Sequence, residues 1–211
     1  MQSSEKALVP FVSVDHMMQL IHLIGLESLL CKLTDAMEAD FLRWPAFDKK
    51  PRLASHCEIG VIELIPTSDG EVYVFKYLNG HPSNTRTGHQ TVTAFGLLAD
   101  IAAGHPFLLS EMTLLTALRT AATSAMAARV LTPKNAHFMA MIGNGAQSEF
   151  RSLAMKAVCG IDTVCFYDIN QNTSAKCADK LSTSGLDVIV CATPEQAIEG
   201  SQIITTCTAD K

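Results

Sequence analysis

The stretch "FMAMIGNGAQSEF", residues 138–150, runs an apolar segment into a turn holding Gly143 and Gly145, then into helix-compatible sequence. In a dinucleotide-binding unit the first glycine permits the tight turn, and the second lets backbone N–H groups approach a pyrophosphate. The third position needs only a small side chain, so that strand and helix pack closely. Ser148 stands there. A glycine pair alone is weak evidence, because glycines gather in any sharp strand-to-helix turn. Here a strand pattern precedes the turn, a helix pattern follows, and a second strand pattern ends at Asp168, about twenty residues on. The helix pattern after the turn begins at Gln147. A carboxylate at 168 accepts hydrogen bonds from ribose hydroxyls and repels a ribose phosphate. Ile169 and Asn170 supply no arginine to hold one, so the pattern favours NAD over NADP.

A second set of candidates lies in the N-terminal half. Lys76 falls between Phe75 and Tyr77 in a strand pattern, Arg52 and Glu63 lie on the preceding strand pair, and Arg119 interrupts the apolar helix "LLTALRTAATSAMAA". The pattern predicts at least partial burial for these groups. A buried cation needs an anionic partner, since leaving it unpaired costs several kcal/mol, on the order seen in real proteins. That partner is a ligand carboxylate, an internal carboxylate such as Glu63 or Asp100, or water reached by a side chain whose stem covers apolar surface.

The elements that must position these groups follow from periodicity. Helices are expected over residues 14–23 and 26–44, ended by Gly25 and Pro45. Strands follow in "RLASHCEIGVIELIP" and "EVYVFKYLNG" about a turn at Ser68–Gly70, with Val72, Val74 and Lys76 on one face. After a loop over 79–89, "TVTAFGLLADIAAGHPFLLS" reads as two more strands, and a long helix runs over 111–131. From residue 137 the rhythm changes to strand, helix, strand, helix, with strands over 138–142, 163–167, 187–191 and 202–207. Short alternating units of this kind favour a parallel sheet with crossover helices. The expected fold is α/β: an N-terminal α+β substrate and dimerisation domain, 1–132, followed by a partial Rossmann-type parallel-sheet domain, 133–211.

Composition narrows the function. The 211 residues are 48% hydrophobic, with 16 basic and 21 acidic side chains. Without a basic run, neither a nucleic-acid footprint nor a polybasic membrane surface is expected, and the partner is a small molecule. No signal sequence or apolar span is apparent, so the expected location is cytoplasmic. The seven cysteines form no C-x-x-C pair and read as reduced core residues. The seven histidines include no metal-binding spacing, and no metal is expected.

"RLASHCEIGVIELIP", "FKYLNGHPSNT", "LLTALRTAATSAMAA", "IGNGAQSEF" and "QIITTCTADK", in this order, closely resemble the ornithine cyclodeaminase and mu-crystallin family over about residues 33–211. The resemblance implies a homodimer whose N-terminal domain supplies the dimer contact and substrate pocket, beside an NAD-binding domain. It implies conversion of L-ornithine to L-proline and ammonia. Hydride leaves the substrate α carbon for NAD, the distal amine attacks the imine, ammonia departs, and the cyclic imine takes the hydride back. By similarity Arg52 and Lys76 hold the substrate carboxylate, Arg119 lies near substrate and cofactor, and Glu63 near the reacting amine, with Glu63 and Lys76 the catalytic candidates. Thr91, Arg119, Gly143, Gly145, Ala146, Gln147, Asp168 and Thr208 match cofactor-binding positions.

The same resemblance implies further strands after the segment matching "TTCTADK", including a Gly-Gly-Asp turn whose aspartate serves as acid/base. That aspartate has no counterpart among these 211 residues. The expectation is therefore a fragment with little or no activity of its own. Alternatives on the same scaffold are an NAD-dependent amino-acid dehydrogenase or imine reductase, and a non-catalytic ligand-binding protein of the mu-crystallin type.

Overall fold

A computed structural model describes residues 8–208. By internal packing the chain forms two compact units: residues up to Leu20 together with Arg43–Thr116, and Ile21–Leu42 together with Ala117 onward. The division falls inside the long helix Thr113–Leu131. Compactness thus groups Ile21–Leu42 and most of that helix with the parallel sheet, whereas the sequence boundary at 132/133 separates them from it.

The first unit is built on a seven-stranded sheet. Its strands are β1 (Phe11–Val12), β2 (Asp48–Lys49), β3 (Leu53–Cys57), β4 (Gly60–Ser68), β5 (Val72–Gly80), β6 (Val92–Asp100) and β7 (Pro106–Glu111). They run in the order β1-β7-β6-β5-β4-β2, with β3 also paired to β4. All pairs are antiparallel except β1 with β7. The expected turn between β4 and β5 is held by Asp69, whose Oδ1 accepts from the N–H groups of Glu71 and Val72 at 3.1 and 2.9 Å. The loop after β5 contains a short 3-10 segment, Pro82–Thr87.

Side chains of a strand alternate between faces, so register assigns each residue to a side. One face carries the row Leu64, Tyr77, Phe95, each opposite the next across adjacent strands. Tyr77 and Phe95 stack with centroids 5.1 Å apart, yet Leu64 and Phe95 stay exposed. The other face carries Glu63, Ile65, Lys76 and Leu78. Gly96, opposite Lys76, leaves no room for a side chain, because its Cβ would lie 2.2 Å from the sulfur of Met112.

The second unit holds four parallel strands, β8 (Phe138–Ile142), β9 (Thr163–Tyr167), β10 (Asp187–Val190) and β11 (Ile203–Thr206), in the order β10-β9-β8-β11. The alternation expected from residue 137 onward is present, with α4 (Ala146–Cys159), α5 (Gln171–Leu181) and α6 (Pro194–Ile198) between the strands. The buried core is rich in Met139, Ala140, Met141, Val164, Cys165 and Phe166. Strands β8 and β9 are buried on both faces and so read as continuous apolar runs.

Of the earlier helices, α1 is Val14–Ile24, α2 is Leu26–Leu42 and α3 is Thr113–Leu131. Packing of α2 on α4 is reinforced by the Lys156–Glu27 ion pair and by the Cys31 thiol donating to the Ala157 carbonyl at 3.4 Å. Arg129 of α3 clamps Asp35 and Glu38 of α2 at 2.8 and 2.6 Å. Glu111 caps α3, its Oε2 accepting from the Thr113 and Leu114 N–H groups at 2.9 and 3.1 Å. Among the described residues no single helix is long and apolar enough to cross a membrane.

Candidate functional site

The glycine turn sits where the parallel sheet reverses direction of growth. From β8 the sheet extends through β9 to β10 on one side and to β11 on the other, and ligands of such sheets bind in the crevice beyond the strand ends at that point. Gly143 leaves β8 at φ +85°, a left-handed conformation that strongly favours glycine. A Cβ there would lie 2.8 Å from the Thr208 nitrogen and 2.9 Å from the Cys207 carbonyl carbon. The glycine therefore lets the turn lie against the chain leaving β11, which brings Thr208 beside it.

Gly145 meets a different need. Among the described residues a Cβ at this position would meet no atom within 4 Å, and no side chain caps the N-terminus of α4 at this residue. The helix start, with Ala146 and Gln147 as its first residues, faces open space with N–H groups that suit a phosphate. Buried oxygen Oε1 of Gln147 has no hydrogen-bond partner among the described residues. A polar ligand donor would satisfy it. Asp168 accepts from the Asn144 N–H at 2.7 Å through Oδ2 and from the Asn170 N–H at 2.8 Å through Oδ1. An ionised carboxylate has about four lone-pair sites, so two bonds leave capacity for ribose hydroxyls. On these observations the turn fits a dinucleotide.

Ser148 explains how the turn dispenses with a third glycine. It is fully buried, its hydroxyl donates to the Gly145 carbonyl at 2.6 Å, and its oxygen lies 3.2 Å from the Cys177 sulfur on α5. A hydroxymethyl group thus fits the helix packing and turns its polar atom back on its own backbone. Burial raises the Cys177 thiol above its ordinary value, an effect the Ser148 hydrogen bond partly opposes.

Two residues of this site were not anticipated. Asn144 is 3% exposed; its amide donates to the Met141 carbonyl at 3.2 Å and its Oδ1 accepts from the Ser174 hydroxyl at 2.7 Å. These bonds lock the turn to β8 and α5 before any ligand arrives. Asn144 occupies the variable position between the glycines, so the motif carries no signal for it.

In the first unit, Arg52, Glu63 and Lys76 belong to one face of the sheet. Ala54 is opposite Glu63 and Ile65 is opposite Lys76, which makes Glu63 and Lys76 diagonal neighbours. Arg52 pairs with Glu63, Nη1 to Oε2 at 3.2 Å. The Lys76 ammonium donates to the Thr116 hydroxyl at 3.4 Å. Arg119 is three residues beyond Thr116 on α3, on the same stripe of that helix. Thr91 precedes β6, its carbonyl accepting from the His81 N–H at 2.8 Å.

Partial burial holds for Glu63 and Lys76 but not for the two arginines. Arg52 has a side chain 60% exposed against 15% for Glu63, and Arg119 is exposed. Arg52 lies just before β3, a strand exposed along its whole length, so periodicity overstated its burial. Cysteine placement needs a similar correction. Cys165, Cys177 and Cys191 are buried, Cys31, Cys159 and Cys207 are half-buried, and Cys57 is exposed; all are free thiols.

Residues 14–211 match the model of the ornithine cyclodeaminase/mu-crystallin family. An ornithine cyclodeaminase of Brucella suis biovar 1 (strain 1330) is 60% identical over 204 residues, which is 97% of this chain and 57% of that protein. The chain thus spans somewhat more than half the length of the curated relatives it matches. A lysine cyclodeaminase, solved for recognition of L-lysine, L-ornithine and L-2,4-diaminobutyric acid, superposes with a TM-score of 0.87 at 23% identity, over 96% of this chain and 61% of that one. Thermococcus litoralis Delta(1)-pyrroline-2-carboxylate reductase, solved with NADH and L-proline, gives 0.81 at 28% identity over 93% and 61%.

Proposed function

The chain belongs to the ornithine cyclodeaminase/mu-crystallin family, and from that premise we propose that it forms the greater part of an NAD-dependent ornithine cyclodeaminase converting L-ornithine to L-proline and ammonia. The observation that carries the reading is the charge pattern Arg52, Glu63, Lys76 on one sheet face, in a chain that also builds the Gly143–Asp168 turn. Two cations and a carboxylate on one face complement the two charged ends of an amino-acid zwitterion. The 60% identity to a curated ornithine cyclodeaminase points to ornithine as that amino acid.

In this reading NAD would be held by Gly143, Gly145, Ala146, Gln147, Asp168 and Thr208, with Thr91 and Arg119 as further contacts. When bound it supplies a reversible hydride acceptor. The chain's own residues bind and orient the substrate. Arg52 and Lys76 hold the carboxylate, Arg with its planar fork and Lys as a point charge, and Arg119 supports the same end. Glu63, mostly shielded from water, accepts hydrogen bonds from the reacting amine and takes up its proton. Substrate binding therefore requires the Arg52 fork to exchange part of its bond with Glu63 for the substrate carboxylate.

We further propose a homodimer in which a second copy covers the Leu64–Tyr77–Phe95 row. Leu64 and Phe95, large apolar side chains left exposed at either end of the row, favour a partner. Action in the cytoplasm is in keeping with seven free thiols. The test is to express the complete reading frame and supply labelled L-ornithine with catalytic NAD. Labelled proline and an equal amount of ammonia are expected; ornithine left unchanged, or NADH consumed with a keto acid and ammonia instead, rejects the assignment.

A further inference from the structure

At the tip of the β3–β4 hairpin the sheet brings together Cys57, Gly60 and His81, none of which the proposed chemistry uses. Cys57 is the one exposed cysteine of the seven. Burial raises the thiols of Cys159, Cys165, Cys177 and Cys207 above their ordinary values, which suppresses the nucleophilic thiolate at those four positions.

The Cys57 sulfur lies 3.9 Å from His81 Nε2, and its thiol donates to the Gly60 carbonyl at 3.3 Å. A side chain at position 60 has no room, because its Cβ would sit 2.6 Å from the His81 ring and 2.4 Å from the Gly80 carbonyl. Glycine there is what lets the imidazole lie against the hairpin. The hydrogen-bond network also sets the tautomer. Asn79, itself buried, accepts the Thr93 N–H and hydroxyl through Oδ1 at 2.6 and 2.5 Å, which turns its amide nitrogen toward His81 Nδ1 at 3.3 Å. Nδ1 therefore accepts, the ring proton resides on Nε2, and that N–H is aimed at the sulfur.

We propose that Cys57 is a covalent-modification site for soft carbon electrophiles of the activated-alkene class, with the His81 Nε2–H holding the attacking sulfur. The thiol proton passes to water, and a sulfur lone pair forms the C–S bond at the alkene β carbon. The π pair moves to the α carbon, which takes a proton from water. Atoms and electrons balance without an oxidant.

The probe is N-ethylmaleimide at less than one equivalent, with labelled peptides of the 211-residue chain mapped over time. In the unmutated protein Cys57 is expected to react about tenfold faster than any other cysteine, as its exposure and hydrogen-bond donor dictate. His81→Phe keeps a ring against Gly60 without the donor and is expected to slow Cys57 about tenfold, the worth of one such hydrogen bond. His81→Gln, which restores an N–H, is expected to recover most of that rate. Another cysteine labelled first, a Phe variant as fast as the parent, or no recovery in the Gln variant would overturn the proposal.

Discussion

The two proposed binding regions are organised in opposite ways. At the glycine turn, backbone and side chains are tied down in advance: Asp168 to Asn144, Asn144 to Ser174 and Met141, Ser148 to its own turn. On the N-terminal sheet, Arg52 is 60% exposed and its bond to Glu63 is one that a ligand must remodel. A phosphate site built from backbone N–H groups is useful only if the backbone is fixed. A site for an amino-acid zwitterion needs opposite charges near one another, and until the substrate arrives these charges satisfy each other. The difference predicts that changes at the turn act on folding and cofactor affinity together, while changes on the sheet act on substrate handling alone.

The sharpest way to break this contrast is Gly143→Ala. The left-handed φ and the backbone of Cys207 and Thr208 leave the methyl no place, so a loss of about 3 kcal/mol in stability is expected together with loss of NAD binding. Calorimetry and cofactor titration read both; normal values for either would show that the turn is not rigid. On the sheet, Lys76→Met should lower kcat/KM for ornithine roughly 10- to 100-fold, the worth of a charge-assisted hydrogen bond, with the NAD dissociation constant and Tm unchanged. A matching loss of NAD affinity would erase the distinction. Asp168→Ala removes both a ribose acceptor and a strut of the turn, and is expected to weaken NAD by roughly tenfold while the KM for ornithine stays put.

A pH titration probes the core of the second unit. Burial raises the Cys165 thiol from 9.0 to about 11, so the folded form keeps a proton that the unfolded chain releases. The associated stability is intact below pH 9 and drains as pH climbs toward 11. Denaturant titrations over that interval should show this loss reduced in Cys165→Val. The smallest effect is expected from Ser148→Gly, which lies on the buried side of the turn and not among its phosphate-facing groups. Helix stability drops by roughly 0.5–1 kcal/mol, and NAD affinity falls only in proportion to that small loss. A large change in affinity would mean that the buried hydroxyl does more than fill the packing site.

What the sequence disclosed follows the same contrast. Parallel strands β8 and β9 were readable as apolar runs because both faces are buried, β10 and β11 as short apolar segments at the sheet edges, and Gly143 because only backbone geometry explains it. Two-residue strands β1 and β2 carry no period to detect. Asn144 was invisible because any residue is compatible with its motif position, and Ser174 because it lies outside the motif; their role emerges only when β8 and α5 are packed together. The candidacy of Arg52, Glu63 and Lys76 came from family resemblance and charge placement, whereas the exposure of Arg52 depends on β3 lying open, a tertiary property.

The central claim, that an amino acid lends a hydride and receives it back, is tested most directly with L-ornithine deuterated at the α carbon and an excess of unlabelled NAD and enzyme from the complete reading frame. Proline that keeps its deuterium at that carbon, with no NADH accumulating, is the predicted result. Proline carrying hydrogen from solvent there, or deuterium left in accumulated NADH, would contradict it.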